Sequence, residues 1–383
     1  MTDFSLPLSD PDISETELAA VMQVMQSPRL SQGAQVERFE QEFAAYHGRR
    51  YAVAVTSGTI GLMLALKAHG IGHGDEVIVS PYSWRETAHA VTLAGATPVF
   101  ADIDYWSGTL AVDKVAAAIT TATRAVIGSN TNGHPAPWAP LRALAEKHGL
   151  ALIEDSTEAI GSRYAGQLVG SFGACAVFDF SQPGPLCCGE GGMVLTDDGD
   201  LARAMRYARS HRPEERASIV MSATVPLQCG LSDIAAALGL AQLQRLDEIL
   251  ARRKLTEHWY FTHIKSFEGI KDPYVATEVT EVHWFLYLVH LGTRFSRSSR
   301  DAIVEDLRTE SIEASAYCQP LHRQRAYLAA GAAAPRLVVT EKVADRAVAL
   351  PFNAHLTDER IAFIVRTMKD ASINVGAGSA IYL

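Results

Sequence analysis

Between residues 52 and 195 short apolar runs alternate with helical ones, and this alternation narrows the fold more than any other feature of the chain. Ala52-Val53-Ala54-Val55 reads as a buried strand. Ser57-Gly58-Thr59 then turns it into an apolar helical run over residues 60–66. Further strands are predicted at 76–79, 97–100, 125–127, 152–153, 176–178 and 193–195. Helices are predicted at 86–93, stopped by Gly95, and at 140–148, ended by Gly149. Such alternation makes an α/β fold with a mostly parallel sheet covered by helices on both faces. Ligands of open α/β sheets bind beyond the carboxyl ends of the strands. Ser57, Asp155 and Asp179 belong at that edge.

Ser232 reads as the N-cap of one long helix over 233–254. The pattern divides the chain into a large domain at residues 1–254, which includes an N-terminal segment, and a smaller C-terminal α/β domain at 255–383. The second holds a strand at 283–291, a helix at 299–308, an Ala/Gly-rich loop at 329–334 and a last helix at 358–368 capped by Thr357.

The 383 residues are 48% hydrophobic and 20% charged, enough for a large core, with a net charge of -9. Without a basic run there is no footprint for nucleic acid, and an acidic surface disfavours anionic membranes. The N-terminus lacks a basic flank followed by an apolar core, and no apolar stretch is long enough to span a bilayer. Five cysteines at 175, 187, 188, 229 and 318 fit neither a disulfide framework nor a metal knuckle, so no metal is predicted. These features predict a cytoplasmic protein with a small-molecule metabolite as its partner.

Further segments align in order. They include Pro7-Leu-Ser-Asp-Pro-Asp12, Leu30-Ser-Gln-Gly33, Val55-Thr-Ser-Gly-Thr-Ile-Gly61, Gly72-His-Gly-Asp-Glu-Val-Ile-Val-Ser-Pro-Tyr-Ser-Trp84, Ile153-Glu-Asp-Ser-Thr-Glu-Ala159, Gly189-Glu-Gly-Gly192 and Pro320-Leu-His322. Together, over residues 7 to 370, the chain resembles the DegT/StrS sugar-aminotransferase family. The resemblance implies a fold-type-I pyridoxal-phosphate (PLP) transferase fold, a homodimer, and a place in the biosynthesis of a sugar-like or other secondary metabolite. It also implies cofactor positions. Gly58 and Thr59 would cradle the phosphate with backbone N–H groups at a helix start. Trp84 would stack on the ring, Asp155 would pair the ring nitrogen, and Glu158 would sit near the ring hydroxyl. Read without the family, Ser57 is a plain N-cap, Trp84 a half-buried core residue, Asp155 a loop or capping carboxylate, and Glu158 a solvated one.

The pattern breaks after Phe178. Where the family carries its Schiff-base lysine the chain has Gly184, and the phosphate-binding serine position holds Asp179. Glycine neither anchors PLP nor moves a proton, and a carboxylate against a phosphate repels. The sequence therefore predicts no cofactor, with the Asp179 carboxylate either taking the anion cradle at Gly58 or facing solvent in an opened pocket. It predicts a PLP-independent enzyme in which Asp155, Glu158 and Asp179 serve as clustered acid and base. Arg85, Glu86, Ser181 and Gln182 are candidate contributors. Two other readings stand beside it: a non-catalytic partner of an intact aminotransferase paralogue, and a PLP-dependent sugar aminotransferase. The resemblance makes His134 and His322 candidates for the pocket rim, while from the residues alone a surface or core histidine is the commoner reading of either; Cys187 and Cys188 read as small buried residues.

Overall fold

The computed structural model describes residues 4–181, 183–209, 226–265, 270–271, 273–327 and 335–381. Gln182 and the 329–334 loop lie outside them.

Strands β1 (Tyr51–Val55), β2 (Glu76–Val79), β3 (Thr97–Phe100), β4 (Thr123–Ser129) and β5 (Ala151–Asp155) are followed by a short hairpin, β6 (Arg163–Tyr164) and β7 (Gln167–Leu168). Then come β8 (Cys175–Asp179) and β9 (Gly192–Thr196). Seven of them form one sheet in the order β1-β9-β8-β5-β4-β2-β3. Neighbours from β8 to β3 are parallel, and β9 alone runs against its two neighbours. Side chains alternate across the sheet with period two. Val53, Val55, Val177 and Val194 pack on one face with the helix Gly58–Ala68. Ala52, Ala54, Phe178 and Met193 pack on the other with Phe39, Phe43 and Leu240. Burial on both faces is why these strands read as unbroken apolar runs.

Three smaller strands follow: β10 (Ile270–Lys271), β11 (Val279–Glu281) and β12 (Tyr287–Leu291). With β13 (Ala347–Leu350) they complete the strands. The order β10-β12-β13 makes a second, antiparallel sheet, and the helices Arg297–Thr309 and Asp358–Ile381 pack on each other beside it. No helix among the described residues is long and apolar enough to cross a membrane.

The element bounds depart from the sequence expectation in three places. The single helix expected over 233–254 is two, Asp233–Gln244 and Leu246–Ile264, broken at Arg245. Its guanidinium there binds Asp12 at 3.1 Å and Glu17 at 2.7 Å, so the break pins the N-terminal segment. The strand expected from 283 starts only at Tyr287. Before it, His283 N–H donates to Ser162 Oγ (2.8 Å) and Leu286 N–H to Asn132 Oδ1 (2.9 Å), so these donors satisfy a loop rather than a strand neighbour. The last helix runs on to Ile381 instead of ending at 368. Two N-terminal helices, Glu15–Met25 and Ala34–Tyr46, were not anticipated, although Ser14 and Glu17 form a capping box.

Candidate functional site

The carboxyl ends of β1, β4, β5 and β8 converge on one cavity of about 300 Å³. At the end of β1 the chain turns tightly into the helix Gly58–Ala68. Ser57 Oγ accepts from Ile60 N–H (3.3 Å), the plain capping role. The turn lies against β9 so closely that a Cβ on Gly192 would meet the Ser57 carbonyl carbon at 2.5 Å. Asp179 ends β8, opposite Gly192. Its Oδ2 accepts from Gly58 N–H at 2.6 Å, and its Oδ1 accepts from Ser181 N–H at 2.8 Å and from the Ser181 hydroxyl. A carboxylate thus sits in the positive end of a helix, where anions are stabilised. The expected contact between Asp179 and the Gly58 amide is present.

The opposite end of the cavity is built on β5. Asp155 Oδ2 accepts from Thr87 Oγ1 (2.9 Å), and Oδ1 from Thr157 N–H (3.3 Å). Trp84 opens the helix Arg85–Ala94 and meets Phe285 edge-on with centroids 6.0 Å apart. Glu158 is buried; its Oε2 accepts from Asn132 N–H and from the Tyr317 hydroxyl. Its Oε1 is buried without a hydrogen bond. Trp84 is close enough to Glu158 to draw its pKa down against the effect of burial. Sequence reasoning missed Thr87, Asn132, Tyr317 and Phe285, and no local pattern marks them.

Burial pushes the Asp155 carboxyl up from its usual range, and the Asp179 charge adds to it. Burial lifts Glu158 to about 8, Asp155 adds to the rise, and the Tyr317 and Asn132 hydrogen bonds oppose it. Glu158 is therefore a neutral donor at neutral pH. A carboxyl with a raised folded pKa holds its proton more tightly folded than unfolded. Its contribution to stability is full below 4.5 and is lost as pH rises to about 8. Glu158→Gln is expected to flatten the fall in denaturant midpoint between about pH 5 and about pH 8. Part of the slope is expected to persist, because Asp155 shifts in the same direction. A slope unchanged by the substitution would contradict a neutral Glu158.

Five acids line the cavity, namely Glu86, Asp155, Glu158, Asp179 and Glu190, and among the described residues no lysine or arginine does. Gly58, Thr59, Trp84 and Ser181 line it as expected. Arg85 does not; it is exposed and pairs with Glu86 at 3.5 Å. Gly184 adjoins the cavity through Pro183. His134 and His322 are not rim residues. His134 is buried between the Pro135 carbonyl (2.8 Å) and Ala276 N–H (3.1 Å), and His322 faces Glu341 (3.3 Å). Cys187 and Cys188 are buried with thiols pushed up by burial, which suits packing and not nucleophilic attack.

A sheet of six co-directional strands and one reversed strand, with a cavity at the carboxyl ends, is the fold-type-I PLP-transferase fold. The chain belongs to the DegT/DnrJ/EryC1/StrS aminotransferase family, whose model matches residues 11–369. It is 34% identical over 381 residues to the spore coat polysaccharide biosynthesis protein SpsC of Bacillus subtilis, covering 95% of this chain and 96% of that one. It is 35% identical over 367 residues to GDP-perosamine synthase of Caulobacter vibrioides, covering 95% and 97%. A protein described as a sugar aminotransferase, Spr1654 of Streptococcus pneumoniae, superposes in its PMP form with a TM-score of 0.91 at 25% identity, covering 98% and 99%. Its PLP form gives 0.89 at 26%, covering 97% and 99%.

These likenesses overturn the expectation that the chain uses no cofactor. A protein of the same fold along its whole length is known in both PLP and PMP forms. That expectation rested on Gly184 and Asp179; in the other half of the cavity Trp84, Asp155 and Glu158, the ring positions that the resemblance implies, suit a pyridine ring: an aromatic face, a carboxylate and a buried oxygen without a hydrogen bond. The phosphate half suits its group less well. Two unit charges 4 Å apart repel by about 4 kcal/mol at an effective dielectric near 20, and Asp179 already holds the Gly58 amide.

Proposed function

We propose that this chain acts on a nucleotide-linked amino- or keto-sugar, using a pyridoxal-type cofactor held by noncovalent contacts alone, and that two identical chains form the working unit. The names of its relatives, a GDP-perosamine synthase and a spore coat polysaccharide protein, support the substrate class. The observation that carries the reading is Asp155, a largely buried carboxyl group at the end of β5 steadied by Thr87 at 2.9 Å. It holds the proton on the ring nitrogen, while neutral Glu158 donates to the ring hydroxyl and Trp84 covers one face. The bound cofactor supplies the electron sink. With no amine at Gly184, the proton at the sugar carbon falls to a carboxyl group, and Glu86 and Glu190 line the same cavity. A positioned acid–base group is worth about 10²–10⁴ in rate, so turnover is expected to be slower by about that factor than in a lysine-bearing enzyme.

The reading is tested by titrating the protein with pyridoxal, pyridoxamine and their phosphates while following tryptophan fluorescence. Saturable quenching is expected, reduced in Trp84→Leu and shifted to about tenfold higher ligand in Asp155→Ala, the scale of one charge-assisted hydrogen bond. Borohydride is expected to leave the chain mass unchanged, and light scattering to give twice that mass. No quenching by any of the four, or quenching indifferent to both substitutions, would sink it.

A further inference from the structure

We infer that the cavity selects the ring without its phosphate: pyridoxamine or pyridoxal, with the free hydroxymethyl group donating to Asp179. The inference rests on the proposed function and goes beyond it, because it assigns Asp179 as the residue that sets which form of the cofactor is bound.

Three observations lead here. The first is occupancy of the anion cradle. Asp179 accepts from Gly58 N–H at 2.6 Å and from Ser181 N–H at 2.8 Å as well as from the Ser181 hydroxyl. A carboxylate offers about four acceptor positions; these three bonds leave room for one more donor. A hydroxymethyl group is a neutral donor and completes the set. A phosphate ester carries about -1.5 to -2 charge at neutral pH and only acceptors, so it brings no donor for Asp179 and competes for the same amide.

The second is the closeness of Asp179 to the Gly58 backbone, which leaves that one amide to a single anion. Gly58 lies so close to Asp179 that a Cβ built on it would fall 2.8 Å from the Asp179 Cβ and 3.1 Å from Oδ2. The contact is made backbone to carboxylate, with no gap between them.

The third is the charge of the whole cavity. Asp155, Asp179 and Glu190 line it with Glu86, which pairs at 3.5 Å with the exposed Arg85, and among the described residues no lysine or arginine lines the cavity itself. Pyridoxamine, with its ammonium group and protonated ring, is the member of this ligand class that such a wall attracts most. The buried, unpartnered Glu158 Oε1 indicates separately that the cavity is shaped for a polar ligand.

The experiment compares pyridoxamine with pyridoxamine phosphate by calorimetry on the full chain, in the wild type and in Asp179→Ser and Asp179→Asn. In the wild type pyridoxamine is expected to bind at least about tenfold more tightly than its phosphate. Asp179→Ser, which removes the charge and restores a donor, is expected to reverse the order. Asp179→Asn, nearly the same shape without the charge, is expected to bring the two within about threefold. A wild type that prefers the phosphate, or a preference untouched by either substitution, overturns this inference while leaving the pyridoxal-type reading standing. If neither compound binds any variant, both fail together.

Discussion

The double variant Gly184→Lys, Asp179→Ser is expected to take up PLP as a covalent, borohydride-reducible Schiff base with a visible absorption band. Space permits it. A Cβ at Gly184 would lie 3.5 Å from the Leu186 carbonyl, 3.7 Å from the Ser181 carbonyl and 3.8 Å from the Phe285 ring, all ordinary contacts. Gly184 is also absent from the residues with left-handed backbone, so a side chain there meets no left-handed strain. The two changes do different work. Lysine supplies the amine. Serine removes a repulsion of about 4 kcal/mol, a factor of about 10³ in affinity. Each single variant is accordingly expected to fall short: Gly184→Lys with weak, incomplete labelling, Asp179→Ser with tighter PLP that borohydride does not fix. The check is intact mass after reduction, alongside the spectrum. A folded double variant that remains unlabelled would mean that position 184 does not face the ring.

The largest expected loss of stability comes from Glu154, whose side chain is fully buried behind the cavity floor. Its Oε1 accepts from Asn130 Nδ2 (3.2 Å), Ser156 Oγ (2.7 Å) and Gly170 N–H (2.6 Å). Its Oε2 accepts from Phe172 N–H (2.8 Å) and Gly173 N–H (3.3 Å). Glu154→Ala strands these donors in the interior, where each unmet group costs about 1–3 kcal/mol. Partial relaxation and water entry bring the total to about 3–5 kcal/mol, the usual cost of breaking a buried charged network. Equilibrium denaturant unfolding measures it, and a loss under about 1 kcal/mol would refute the account. Because Asp155 and Ser156 follow directly in the chain, the variant is also expected to bind pyridoxamine more weakly.

Much of this was legible in the residues. The strands of the main sheet fell where their apolar runs lay, because burial on both faces leaves a continuous signal. Gly95 and Gly149 ended their helices in left-handed backbone, as glycine allows. The contact of Asp179 with the Gly58 amide was one of two readings, suggested by the family resemblance, which puts Asp179 at the phosphate-binding position, and by a helix start and a strand end that share one sheet edge. The prediction of no cofactor failed by the same route. It set two substituted positions, Gly184 and Asp179, above the ring positions Trp84, Asp155 and Glu158, which the fold brings to one cavity.

The sequence by itself determined the alternation of strand and helix, the caps and the cavity edge, since these depend on short-range sterics and on side-chain periods of 2 and 3.6 residues. Only the tertiary structure decided who satisfies the buried carboxyls. Tyr317 reaches Glu158 across 159 positions and Thr87 reaches Asp155 across 68. Arg245, at the break between two helices, binds Asp12 and Glu17, 233 and 228 positions away. The partners of a buried charge are chosen by where the folded chain returns, and no local pattern carries that information; yet those partners make Glu158 a donor and hold Asp155 in place.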